Sequence, residues 1–133
     1  MAFYYAFIDL DRNGIHELVI GEQNQIEPHH MTIGIYSFDG TEAVEIIECG
    51  NMNIADICAD GRVILTEGTI LDGTSYICAK DDGGVYPEII AQHTYDLYAD
   101  TYSNESETIS SQEYYARYAS GGYWSIEWNY LCG

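Results

Sequence analysis

Basic residues are scarce in this chain. Lys and Arg together number 4 against 22 Asp and Glu, a formal net charge of −18 over 133 residues, with a pI near 4.1. Nucleic-acid phosphates are held mainly by Lys and Arg, so direct binding to DNA or RNA is excluded as an expectation. Anionic membrane surfaces are poor partners for the same reason. No apolar run approaches the roughly 18–20 residues a spanning helix needs, so no membrane span is expected. Cys49, Cys58, Cys78 and Cys132 contain no C-x-x-C pair, which argues against a zinc ribbon or a thioredoxin-like site. Serine-elbow, cysteine-protease and glycine-rich phosphate-loop patterns are also missing.

What the chain does have is core-forming material. Hydrophobic residues make up 47% and aromatics 14%, far from the signature of an acidic disordered chain. Residues 1–133 fit a single domain that buries roughly two thirds of its unfolded surface. Tyrosine occurs 13 times and suits half-buried sheet faces, because it buries a ring while its hydroxyl stays wet. Cys58 and Cys78 lie in apolar runs where a free thiol acts as a small hydrophobe, and at least two cysteines are expected to be free.

Turn dipeptides punctuate the sequence at Asn13-Gly14, Asp39-Gly40, Asp60-Gly61, Asp72-Gly73 and Asp82-Gly83-Gly84. Asn-Gly and Asp-Gly between apolar runs are strong hairpin signals. They delimit expected strands at Tyr4–Asp9, Glu17–Glu22, Met31–Phe38, Ala43–Glu48, Ile54–Ala59, Arg62–Glu67, Ser75–Lys80 and Val85–Tyr95. Trp124, Ile126, Trp128 and Tyr130 alternate with polar residues and predict a closing strand. Asp100 to Thr108 is polar and reads as a loop. Ser110-Ser111-Gln112-Glu113 forms a capping box, with Ser110 at the N-cap and Tyr114 and Tyr118 on one face of the helix it opens. The fold class is therefore mainly β: an antiparallel β-meander with one short C-terminal helix. Apolar residues on both faces, as in Ile33 to Phe38, predict a sheet covered on both sides, curled into a barrel-like or sandwich-like form.

Asp9-Leu10-Asp11-Arg12-Asn13-Gly14-Ile15-His16-Glu17 carries the clearest chemistry. Side chains at alternate loop positions converge when the backbone coils tightly, and Gly14 supplies the turn because glycine takes positive φ without steric cost. Asp9, Asp11 and Glu17 offer carboxylates, Asn13 an amide oxygen and Ile15 a backbone carbonyl. An all-oxygen set favours Ca²⁺ over zinc or copper. An EF-hand is excluded, since Ile20 stands where its closing Glu belongs and the flanks read as strands.

A β-loop-β unit closed by an acid at loop position 9 resembles the calcium loops of FG-GAP and VCBS-type repeats. More closely, Ala6-Phe7-Ile8-Asp9 through Glu17-Leu18-Val19-Ile20 is similar to the signature Y-A-x-x-D-I-D-G-D-G-I-P-E-L-I-I of uncharacterised secreted proteins and lipoproteins of Gram-positive bacteria. The resemblance covers about twenty residues and implies metal ligation by Asp9, Asp11, Asn13, Ile15 and Glu17. Arg12 replaces a small residue, Asn13 an Asp and His16 a Pro. The site thus loses one negative charge and gains a cation nearby, so affinity should fall in the weak range of extracellular modules, roughly 10⁻⁴–10⁻³ M.

The expected function is a non-enzymatic calcium-binding module of a bacterial surface or secreted protein, with a protein or carbohydrate partner. Met1-Ala2 runs straight into Phe3-Tyr4-Tyr5 without a leader pattern. The expectation is thus an extracellular or cell-surface protein if a leader precedes this sequence, and a cytoplasmic one if Met1 is the native start. Two alternatives are an acidic mimic occupying a basic protein, and a hydrolase with a Tyr- and Trp-lined pocket beside His29 or His93. His29-His30 read as solvent-exposed loop residues, and His93 as a half-buried packing residue.

Overall fold

Alternating and β-branched runs separated by Asp-Gly and Asn-Gly turns give strands joined to their sequence neighbours. The computed structural model describes residues 2–23, 31–49, 53–69, 71–80 and 87–133. In chain order it contains β1 (Ala2–Ile8), β2 (Glu17–Gln23), β3 (Met31–Phe38), β4 (Ala43–Glu48), β5 (Asn53–Ile57), β6 (Val63–Gly68), β7 (Gly73–Ala79), β8 (Glu88–Tyr95), β9 (Asp100–Asn104), β10 (Thr108–Ile109), α1 (Ser111–Tyr118) and β11 (Asn129–Cys132). All pairings are antiparallel within one sheet, ordered β10-β9-β8-β7-β6-β5-β3-β2-β1-β11. β3 divides its second edge, pairing Gly34–Phe38 with β4 and Thr32 with Ala55 of β5. The sheet is an open meander and does not close into a barrel. His29-His30 and Asp82-Gly83-Gly84 lie outside the described residues.

Side chains of adjacent strand residues point to opposite faces; one face is covered along the meander, and the other only around β6–β9, leaving Phe7 and Ile54 exposed on it. Val63 and Cys78 join one cluster with Ile8, Leu10, Val19, Ile35, Ile47, Ala55 and Ile57, onto which Trp124, Ile126 and Trp128 pack. Their chain neighbours Ile64 and Ile77 belong to the other, with Ala91, Ile109 and the α1 side chains Tyr114 and Tyr118. The Trp128 ring lies so close to Gly21 that a Cβ there would fall 2.6 Å from it. Ser110 caps α1 as its sequence implies, its hydroxyl accepting from the Glu113 N–H.

Two segments differ from the sequence expectation. Asp100 to Ile109 forms the β9–β10 hairpin instead of a loop. Asn104 Oδ1 closes that turn by accepting from the Ser106 and Glu107 amides, so no glycine is needed to mark it. Residues 124–128 do not pair as a strand; only Asn129–Cys132 does, on the edge of β1. The alternation of Trp124, Ile126 and Trp128 reports an extended chain lying on the sheet. Its first contacts are the Trp124 N–H donating to the Ile57 carbonyl and the Ala59 N–H donating to the Gly122 carbonyl. All four cysteines are free, with Cys58 and Cys78 buried.

Candidate metal centre

β1 and β2 pair in register from Ala2↔Gln23 to Ile8↔Glu17, so residues 9–16 form the hairpin connection. Asp9 coils it: Oδ1 accepts from the Asn13 N–H at 3.1 Å and Oδ2 from the Gly14 N–H at 2.8 Å. Gly14 has φ +90° and Arg12 φ +57°. A non-glycine residue in that left-handed region costs about 1–2 kcal/mol. Desolvation raises the Asp9 carboxyl, but the Gly14 and Asn13 amides, Asp11 and His16 outweigh it, leaving its pKa below the ordinary value.

Glu17 begins β2 on the core-facing side and is wholly buried. Its Oε1 accepts from the Leu10 N–H at 3.0 Å, and Oε2 accepts from Ser37 Oγ at 3.2 Å. One carboxylate thereby ties the loop to β2 and β3. Burial raises the Glu17 pKa, the Leu10 amide and Lys80 oppose that rise, and Asp11 adds to it. Asp11 Oδ2 accepts from Lys80 Nζ at 2.8 Å, and the same ammonium stands 4.0 Å from Glu17 Oε2. The Lys80 and Asp11 side chains are only 4% and 3% exposed.

Asp9, Asp11 and Glu17 each place a carboxylate oxygen within 4.8 Å of the others. The Lys80 ammonium reaches two of these carboxylates, Asp11 and Glu17, and Asp11 Oδ1 is buried with no hydrogen-bond partner among the described residues. A buried carboxylate oxygen left without a donor is costly. A small divalent cation could take oxygens from all three residues at once, which a single N–H cannot do.

The loop is braced from the neighbouring hairpin. Gly61, in the β5–β6 turn, has φ +89°, and a Cβ there would sit 1.8 Å from the Leu10 carbonyl oxygen. Only glycine admits that approach. A cleft of about 310 Å³ opens beside this contact, lined by Asp11, Arg12, Asp60, Arg62 and Lys80 among others.

Three of the five residues named from sequence are therefore brought together. Asn13 is adjacent but differently engaged: its Nδ2 donates to Asp11 Oδ2 at 3.1 Å, while its Oδ1 accepts from the Ile15 N–H. Ligation by Asn13 would require that amide to turn over. Ile15 follows in the coil with an exposed side chain. Sequence reasoning missed Lys80 and Ser37. Lys80 is the only lysine in the chain and directly follows β7, a signal that could have singled it out. His93 is half-buried, stacked on Tyr102 with ring centroids 4.1 Å apart, and pairs with Asp100 at 3.2 Å.

Among the described residues no helix is long and apolar enough to cross a membrane. Compared with known proteins, the chain matches no family model, no curated protein and no solved structure.

Proposed function

We propose that the Asp9–Glu17 loop binds one Ca²⁺ ion and that the protein is a non-enzymatic, calcium-stabilised binding module. The observation that carries this reading is Asp11 Oδ1, buried and unpartnered where three carboxylates lie within 4.8 Å of one another. Ca²⁺ takes oxygen ligands in flexible geometry, and it offsets the mutual repulsion of Asp9, Asp11 and Glu17. Because Glu17 also bonds Leu10 and Ser37, the ion stabilises the junction of β1, β2 and β3. Its role is structural.

The resemblance to exported Gram-positive proteins supports the rest of the proposal: a bacterial surface or secreted module that engages a protein or carbohydrate. Calcium concentrations outside cells match the weak affinity expected of the loop. At 1 mM Ca²⁺ and a dissociation constant of about 10⁻⁴ M, binding contributes roughly 1.4 kcal/mol. For a chain of this length that raises the melting temperature by about 5 °C. Thermal melts of metal-stripped protein with and without 1 mM Ca²⁺ test this, with Asp11→Ala expected to remove most of the rise. An identical wild-type melt in both conditions would refute the proposal.

A further inference from the structure

Lys80 is a cation already seated at this cluster. Its Nζ is 2.8 Å from Asp11 Oδ2 and 4.0 Å from Glu17 Oε2, and its side chain is 4% exposed. A protein with 22 acidic residues and one lysine buries that lysine against the carboxylate cluster found among the described residues. From this geometry we infer that Lys80 is a tethered stand-in for the divalent ion, competing with it for one seat. The inference rests on the calcium reading above and adds the chain's own regulation of the site.

Charge and ligand number explain why exchange is favourable. The ammonium brings one positive charge and bonds one of Asp11's two oxygens, leaving Oδ1 without a donor. Ca²⁺ brings two charges and accepts six to eight oxygens at about 2.3–2.6 Å. Both cations cannot share the seat, because like charges a few ångströms apart in a buried site repel strongly. The cleft supplies a route of exit: Lys80 and Asp60 both line it, and the half-exposed Asp60, shared with Arg62 at 3.6 Å, offers an alternative carboxylate. Ca²⁺ entry therefore moves Lys80 from the core to the cleft. Without calcium, Lys80 keeps Asp11 and Glu17 from being left as unpaired buried charges, which would be strongly destabilising. The hairpin connection thus stays folded in both states.

A chain with one lysine makes this directly measurable. Amine-reactive labelling, read by mass spectrometry on the peptide containing Lys80, should be slow in metal-stripped protein and faster at saturating Ca²⁺. Lys80→Gln should bind Ca²⁺ about tenfold tighter or more, because the competing charge is gone. If that variant does not fold, labelling of the wild type decides alone. Wild-type protein that binds Ca²⁺ while Lys80 stays as protected as before, with no gain in affinity for Lys80→Gln, overturns the competition and leaves the calcium site standing. Folded wild-type and Lys80→Gln proteins that both fail to bind Ca²⁺ would overturn the calcium reading itself.

Discussion

Gly61→Ala should be the most damaging single-methyl change near the loop, although Gly61 carries none of the site's ligands. Its φ of +89° disfavours any side chain, and the added Cβ would sit 1.8 Å from Leu10 O and 2.8 Å from Leu10 C. Two costs follow: about 1–2 kcal/mol for the left-handed backbone and about 1–3 kcal/mol for overpacking against a fixed carbonyl. Leu10 cannot easily retreat, because its side chain is in the core and its N–H donates to Glu17. Controls separate the two costs. Gly14 (φ +90°) and Gly40 (φ +100°) have nothing within 4 Å of an added Cβ, so Gly14→Ala and Gly40→Ala carry only the backbone cost. Followed by circular dichroism, Gly61→Ala should melt about 10 °C or more below wild type, and each control only about 4–7 °C below. Displacing Leu10 also disturbs Glu17, so the calcium-induced rise should shrink in Gly61→Ala. If the three alanine variants melted together, the bracing of the loop by the β5–β6 turn would be refuted.

Two further outcomes test the electrostatics and the core. Burial raises the Glu17 carboxyl above its ordinary 4.5, so the folded state binds that proton more tightly than the unfolded chain. The associated stability is complete below 4.5 and is lost as pH rises through the folded pKa. Ca²⁺ favours the carboxylate, so its melting-temperature increment should shrink as pH falls from 7 into the window opening above 4.5; an increment constant down to 4.5 would contradict this. Burial likewise pushes the Cys49 and Cys78 thiols up to about 11, and Cys58 is buried, whereas Cys132 is exposed. A thiol reagent should therefore react fast with Cys132, more slowly with the half-buried Cys49, and with Cys58 and Cys78 only on unfolding. Reaction of Cys58 or Cys78 in the folded protein would show that the core is not closed around them.

Most of the meander was legible because its turns announce themselves. Asp39-Gly40 separates β3 from β4 at the expected bounds, with the Asp39 carboxylate accepting from the Thr41 and Glu42 amides. The β8–β9 and β9–β10 turns use the same side-chain device without glycine: Asp96 caps Tyr98 and Ala99, and Asn104 caps Ser106 and Glu107. With β9 largely polar and only two residues in β10, no apolar period marked the hairpin. The alternation over Trp124 to Trp128 correctly gave which side chains pack inward, but one-sided burial of an extended chain looks the same whether or not its backbone pairs. At the loop, local spacing was enough to bring Asp9, Asp11 and Glu17 together. Lys80 was not readable as their partner, because it lies 69 residues from Asp11 and reaches it only through the order of the strands.

The most direct test of the calcium site is an amide-resolved NMR titration of metal-stripped protein with Ca²⁺. One saturable set of shifts confined to residues 9–17, Ser37 and the segment around Lys80, with a dissociation constant of about 10⁻⁴–10⁻³ M and absent in Asp11→Ala, is the predicted result. Resonances of Leu10, Asn13 and Gly14 that stay in place through roughly 10 mM Ca²⁺, well above that range, would contradict it.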